Sequence, residues 1–337
     1  MKKLFFFFLL LIPINVLAKS TIVMDIDSGR ILYQNNANQK KLIASTTKIM
    51  TCIIVLENSD IESYVTVGDE VLSMYGTNIY IEKGEKIKIK DLLYGLMLRS
   101  GNDAAMTLAC NILGYDEFIN KMNEKAKEIG MNNTMFNNPH GLDEDTKNYS
   151  TAYDMALLSR YAYKNSMYRK IISTRKYITK SSTKSYVFYN RMSLLGNYKY
   201  CVGGKNGYTP KAGKSLVSYA KKDDLTLTIV SLDDSSIYDN HKYLYNEYFS
   251  KYKNYVVFKK GNISINNTFY YINKSFKYPL TKDETDSIRT LIKINNNIEQ
   301  IEIYYDNDVI GRIDLYKKEN KKKKKNSLLQ NMFKLFS

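Results

Sequence analysis

Residues 44–51 read ASTTKIMT, a serine followed three places later by a lysine, and after that lysine no charged residue occurs until Glu57. Ile49 to Leu56 present apolar side chains on all sides, and such a helix belongs in the middle of a core. Positions three apart share a helix face, with roughly 5–6 Å between Cβ atoms, so Lys48 can reach the hydroxyl of Ser45. A neutral lysine there is a general base. Neutrality requires burial and a nearby positive charge, since both disfavour the ammonium form. The partial positive charge of a helix N-terminus also favours an oxyanion beside Ser45. Taken alone, the spacing has a plain structural reading, with Ser45 as an N-cap.

Two further stretches bear on that choice. In RSGNDAA (99–105), Ser100 and Asn102 sit at a tight turn before a helix, which alone reads as an ordinary cap. In GGKNGYTPKAG (203–213), Lys205 is followed by Asn206 and Gly207 ahead of a strand. That reads as a turn, although a glycine there also lets a substrate backbone approach closely. In this order the three stretches, S-x-x-K, S-G-N and a K-T-G-like run, resemble the S-x-x-K, S-D-N and K-T-G set of penicillin-binding proteins and serine β-lactamases.

The resemblance extends well beyond those motifs. ASTTKIMT, LLYGLMLRSGNDAA, NPHGLD, STAYDMALLSRYA and GGKNGYTPKAG resemble the D-alanyl-D-alanine carboxypeptidases, the low-molecular-mass penicillin-binding proteins. The similarity is close over roughly residues 21–250 and looser over 255–316. It implies an α/β transpeptidase-like domain, an antiparallel sheet covered by helices, followed by a small all-β domain. It further implies a serine hydrolase that removes the last D-alanine from peptidoglycan stem peptides, is acylated by β-lactams and needs no cofactor.

Carried over position by position, the resemblance makes Ser45 the nucleophile, Lys48 its base and Ser100 the relay of a proton to the leaving amine. Asn102 would hold the substrate amide. Lys205 would meet the terminal carboxylate and depress Lys48, and Arg191, in YNRMSLL, would stand near that carboxylate. The backbone N–H groups of Ser45 and Tyr208 would form the oxyanion hole beside Gly207. His140, in NPHGL, is assigned a structural role. Asn206 departs from the family pattern, which has threonine or serine there; its amide can donate as a hydroxyl does, from a longer side chain. This departure keeps open a non-catalytic wall-binding relative. A serine β-lactamase is the other alternative, although no Glu is placed like that of the E-x-x-x-N deacylation loop in one group of those enzymes.

Outside these stretches the chain reads in four segments. A basic start and the apolar LFFFFLLLIPINV, ending at Val16-Leu17-Ala18, form an export signal over 1–18. Residues 19–253 form the catalytic domain, with TIVMDIDSGRILYQNN as a hairpin, a helix after the Ser150/Thr151 cap, a second hairpin at 214–232 and a helix at 236–251. Residues 254–316 hold short β segments. Residues 317–337 are a polybasic linker and a short amphipathic tail suited to contact an anionic membrane surface but too short to span it. The formal charge is +16, and the tail carries eight lysines against one glutamate. Without the tail and the signal, about +7 remains, with nothing interleaved as in a nucleic-acid motif. Cys52, Cys110 and Cys201 are odd in number and widely spaced, and read as buried thiols. An exported basic protein of this kind meets lipid or wall polymer at the outer face of a bacterial membrane.

Overall fold

Helix α1 (Lys48–Asn58) forms where the uncharged run predicts it, and Lys48 to Val55 are all buried. A single 3-10 turn, Ala44–Thr47, precedes it, and Ser45 lies in that tighter turn. Neither the turn nor α1 has a side-chain cap hydrogen bond, so Ser45 is not spent as an N-cap. The computed structural model describes residues 19–144, 147–295 and 298–317. The expected export signal (1–18) and the tail beyond Lys317 lie outside the described residues.

Around α1 pack α2 (Ile89–Tyr94) with a π-helical continuation Gly95–Arg99, α3 (Asn102–Ile112), α4 (Tyr115–Glu128), α5 (Ala152–Tyr163) and α6 (Ser166–Ser173). Helices α1, α3, α4, α5 and α6 share one core that includes Ile49, Leu92, Leu108, Phe118 and Tyr168. The expected cap on α5 is present, with Thr151 accepting from Asp154 N.

The sheet draws on both ends of this unit. Strands β1 (Ser20–Asp25) and β2 (Ile31–Asn35) form the first hairpin, closed where Ser28 N and Oγ both donate to Asp25 Oδ2. Three short antiparallel ladders lie apart from the sheet. They pair β3 (Lys41–Leu42) with β6 (Tyr149–Ser150), β4 (Tyr64–Thr66) with β5 (Lys86–Lys88), and β7 (Lys176–Lys180) with β8 (Ser185–Tyr189). After the short helix α7 (Leu194–Asn197) come β9 (Cys201–Thr209), β10 (Gly213–Lys222), β11 (Leu225–Leu232) and α8 (Ile237–Lys251). The five-stranded antiparallel order is β2-β1-β11-β10-β9, so the first strand of the chain pairs with the last of the sheet, Ser20 opposite Leu232. Strand β9 is an edge.

Chain contacts separate one unit, running through Lys222 and including Thr226–Asn246, from a second made of Asp223–Leu225 and the chain from Glu247. The second unit is all-β after α8, with two three-stranded sheets and one pair built from β12 (Lys253–Phe258) to β19 (Tyr316–Lys317). Its core holds Tyr270, Ile272, Ile301, Ile303, Ile313 and Leu315.

Three local readings need correction. Lys205, Asn206 and Gly207 do not precede a strand; they lie inside β9, paired with Val217, Leu216 and Ser215. Glycines weaken the strand signal, but β10 supplies a full antiparallel partner. Helix α6 and the β7–β8 hairpin were not anticipated from sequence. Cys52 and Cys201 are buried free thiols, whereas Cys110, also free, is only half-buried.

Candidate active site

Lys48 Nζ is fully buried and has three neighbours: Ser45 Oγ at 3.1 Å, Asn102 Oδ1 at 2.7 Å and the His140 carbonyl at 2.5 Å. The inventory of a neutral amine fits this set: two protons go to the two carbonyl-type oxygens, and the lone pair remains for the hydroxyl of Ser45. Burial holds Lys48 well below the ordinary lysine range, and the nearby Lys205 charge pushes the same way; buried Asp103 opposes them. Proton transfer from Ser45 needs a heavy-atom separation of about 2.6–3.2 Å, and the 3.1 Å found here is within reach.

Each partner of Lys48 is itself held. Asn102 opens α3 and donates through Nδ2 to the Tyr75 carbonyl at 2.7 Å, while its backbone N donates to Thr77 O. Beside it, the Asp103 carboxylate accepts from the backbone N of Ile79, Tyr80, Ile81 and Ala104, which pins the loop before α2 against the start of α3. The His140 carbonyl is presented by a tight loop in which Asn138 Oδ1 accepts from His140 N, Gly141 N and Asn148 Nδ2. Thr51 Oγ1 on α1 donates to the Pro139 carbonyl at 2.6 Å, tying that loop to the helix that carries Lys48. The His140 ring accepts from Leu142 N through Nδ1, and burial drives its pKa down to about 3, so it is neutral and structural.

Ser100 caps the π-helical turn in the left-handed region, φ 66°. It stands two residues before Asn102 in the chain, but the hydrogen bonds of Lys48 Nζ go to Ser45, Asn102 and His140 rather than to Ser100.

Strand β9 closes the other side. A Cβ added at Gly207 would lie 2.8 Å from Ser45 N and 3.1 Å from both Ala44 Cβ and Thr46 N. The close approach that glycine permits is thus made by the turn carrying Ser45. Gly141 does the same from the opposite loop: at φ +89°, a Cβ there would meet the Ala44 carbonyl oxygen at 2.0 Å. Two glycines clamp the Ser45 turn. Lys205, 1% exposed, donates to the Asn206 carbonyl at 2.5 Å. Burial first, and the Arg191 guanidinium second, bring its pKa down to about 7. Arg191 is itself exposed, 3.4 Å from Thr77 Oγ1. Asn206 is half-exposed, and the side chain of Tyr208 is exposed.

The structure therefore brings Ser45, Lys48, Asn102, Lys205 and Gly207 to one place, with Asn206 and Arg191 at its solvent side. Sequence reasoning missed the His140 carbonyl and the Asn138 loop behind it. The signal was the glycine at 141: an invitation to a left-handed turn inside a segment already singled out. Among the described residues no group of three or more His, Cys, Asp or Glu side chains is placed to hold a metal ion.

Comparison with known proteins adds to this geometry. A family model described as D-alanyl-D-alanine carboxypeptidase matches residues 11–236. The D-alanyl-D-alanine carboxypeptidase DacF of Bacillus subtilis is 37% identical over 215 residues, covering 62% of this chain and 55% of its own length. The D-alanyl-D-alanine carboxypeptidase of Streptomyces sp. strain K15 is 32% identical over 250 residues, covering 67% of this chain and 86% of its own. The crystal structure of the D-alanyl-D-alanine carboxypeptidase DacD from Francisella tularensis superposes with a TM-score of 0.70 at 25% identity, over 89% of this chain and 92% of that one.

Proposed function

The chain belongs to the D-alanyl-D-alanine carboxypeptidase family, and on that premise we propose that it cleaves the terminal D-alanine from peptidoglycan stem peptides through an acyl-enzyme on Ser45. The observation that carries this reading is buried Lys48 Nζ standing 3.1 Å from Ser45 Oγ, with the Asn102 and His140 oxygens at 2.7 and 2.5 Å to take the two protons of a neutral amine. Lys48 takes the Ser45 proton as Oγ attacks the carbonyl between the two D-alanines. The oxygen that becomes negative is met by the N–H groups of Ser45 and Tyr208. Collapse breaks the peptide bond, and the proton held by Lys48 passes through Ser100 to the leaving amine. Water then repeats the sequence on the ester and frees the enzyme. Asn102 holds the substrate amide. Lys205, Asn206 and Arg191 meet the terminal carboxylate, and a bound carboxylate favours the ammonium form of Lys205, which in turn keeps Lys48 neutral.

β-Lactams, which resemble the same acyl group, would be trapped on Ser45. The catalytic unit is assigned to 19–253 and the β-rich domain to 254–316. Export by residues 1–18 would place the site at the outer face of the membrane, with the basic tail from 317 as a surface anchor. No helix among the described residues is long and apolar enough to cross a membrane.

Incubation of the purified protein with a pentapeptide ending in D-Ala-D-Ala tests the activity. Loss of one alanine mass, abolished by Ser45→Ala together with a single penicillin adduct, is the expected result. Peptide binding without turnover would overturn it in favour of a non-catalytic relative, and rapid destruction of penicillin would point to a β-lactamase.

A further inference from the structure

Residues 288–295 read IRTLIKIN, with apolar residues on both alternating faces: Ile288, Ile292 and Ile294 on one, Leu291 on the other. They form β16 (Ile288–Asn295), which pairs antiparallel with β17 (Ile298–Tyr305), and β17 pairs in turn with β18 (Asp308–Asp314). The order β16-β17-β18 leaves β16 as an edge, and among the described residues no strand is paired to its outer side. Ile292 stands opposite Ile301 and Thr290 opposite Ile303, both in the core of the β-rich unit, so the even-numbered residues lie on the core face. The core ends before the strand does. Ile288 packs against it, whereas Ile292 is 46% exposed and Ile294 72%. Leu291, on the outer face, is 54% exposed.

An edge of this kind is ordinarily guarded by charge or by proline. This strand has no proline, and its two cations are drawn back over their own sheet. Lys293 Nζ lies 2.6 Å from Glu302 Oε2 and donates to Tyr304 OH at 3.2 Å, both on β17, and Arg289 Nη2 donates to the Asp306 carbonyl at 2.9 Å. Glu302 is held in turn by Arg312 of β18 at 2.8 Å. Neither cation is spent on the free edge. A row of main-chain N–H and C=O groups, with apolar side chains on both faces, is thus open to an extended strand.

The charges choose among the strands it could take. A two-fold axis through a joined sheet pairs β16 antiparallel with itself and keeps each face on its own side, so a residue opposes only one of its own face. The two longest such registers are centred on Leu291 and on Ile292. The first sets Arg289 against Lys293 of the second copy, twice over, and like charges directly opposite one another destabilise. The second sets Ile292 on Ile292, Thr290 against Ile294, and Leu291 against the aliphatic stem of Lys293. It opposes no like charges. We propose that β16 is a self-association edge, at which two copies of this chain pair antiparallel about Ile292 and join their three-stranded sheets into one. The contact is small, so the dimer is weak and concentration-dependent. It goes beyond the carboxypeptidase reading and does not rest on it.

Sedimentation equilibrium of the purified protein, through the millimolar range, tests the pairing. The parent should show monomer and dimer and no larger species, because one edge per copy closes on itself. Ile292→Lys places two ammonium groups on the axis and removes the apolar contact there, and it should weaken the dimer about tenfold; Ile292→Glu should do the same. Mixing the two variants should restore association as the heterodimer. Leu291→Glu faces Lys293 of the second copy in this register and should not weaken the dimer, whereas in the register centred on Leu291 it would oppose itself and weaken it about tenfold. A monomeric parent, a dimer indifferent to Ile292→Lys, a mixture no better than its components, or a series of growing oligomers would overturn the proposal. Should the Ile292 variants unfold, Leu291→Glu carries the test from a more exposed position, and a weakened dimer there overturns the register. Acylation by penicillin should stay within twofold of the parent in every variant, so association and catalysis are read separately. A protein that dimerises as described but releases no alanine would sink the hydrolysis reading alone.

Discussion

Gly207→Ala adds one methyl group at the most confined contact of the site. Its Cβ would stand 2.8 Å from Ser45 N, whereas unstrained contacts of this kind lie near 3.5 Å, so roughly 0.7 Å must be found. The crowding atoms are backbone and Ala44 Cβ, and none can rotate away. Gly207 is not in the left-handed region, so alanine suits its backbone and the whole effect is one of space. Either β9 or the Ser45 turn must move. Overpacking of this size costs about 1–3 kcal/mol, which for a unit of this length lowers the melting midpoint by about 2–12 °C. The larger effect should be on chemistry. Ser45 Oγ already stands at the long end of proton-transfer reach from Lys48, and a displacement near 1 Å can cost about a hundredfold. Acylation by a fluorescent penicillin, followed as a second-order rate, should therefore fall about tenfold to a hundredfold. Gly114→Ala is the control, since φ there is +81° and nothing lies within 4 Å of the added Cβ. It should lose stability through backbone strain and keep its acylation rate. A Gly207→Ala protein that acylates and melts like the parent would refute the claim that β9 clamps the Ser45 turn.

Lys205→Met should abolish efficient acylation and stabilise the fold, by about 1–4 kcal/mol at pH 7, because it removes a buried charge. The sign follows from the depressed pKa, about 7 in the fold against 10.5 ordinarily: the penalty is full at and below pH 7, shrinks as pH rises, and is gone above 10.5. Melting curves that show a variant no more stable at pH 7 than at pH 10.5, relative to parent, would contradict this. The same change removes a charge that depresses Lys48, so any residual acylation should have its acid limb moved to higher pH. Asn138→Ala strips the acceptor shared by His140 N and Gly141 N and should cost about 1–3 kcal/mol while slowing acylation, since the His140 carbonyl holds Lys48. A lower midpoint with unchanged acylation would show that this carbonyl keeps its place without Asn138. The native thiols should react slowly with disulfide reagents at pH 8, because burial raises all three, Cys201 to about 11 and Cys52 further. Rapid reaction of more than one equivalent before unfolding would contradict the burial of Cys52 and Cys201.

Local chemistry alone determined a good part of this protein. The uncharged run after Lys48 specifies a central helix, and the three-residue spacing puts Ser45 and Lys48 on one side of it. Asp25 and Ser28 close the first hairpin, and Thr151 caps α5; each acts within three residues of its partner, so sequence order is nearly spatial order. Elements that miss such signals were illegible. Helix α6 has eight residues, too few for a clear period, and β7–β8 alternates exposed with partly buried positions that become meaningful only once Tyr186 and Phe188 turn inward. The site needed more than local order. Whether Lys48 is neutral depends on His140, Asn102 and Lys205, which stand 92, 54 and 157 positions away in the chain. Gly207 and Gly141 meet at the Ser45 turn only because β9, the edge strand of the sheet, and the loop before Asn148 both reach it in the fold. Short-range preference chooses elements, but burial and donor matching between distant segments are properties of their packing. That is why the sequence alone could single out Ser45 and Lys48 as a pair, while the groups that set their charge and orientation had to come from the fold.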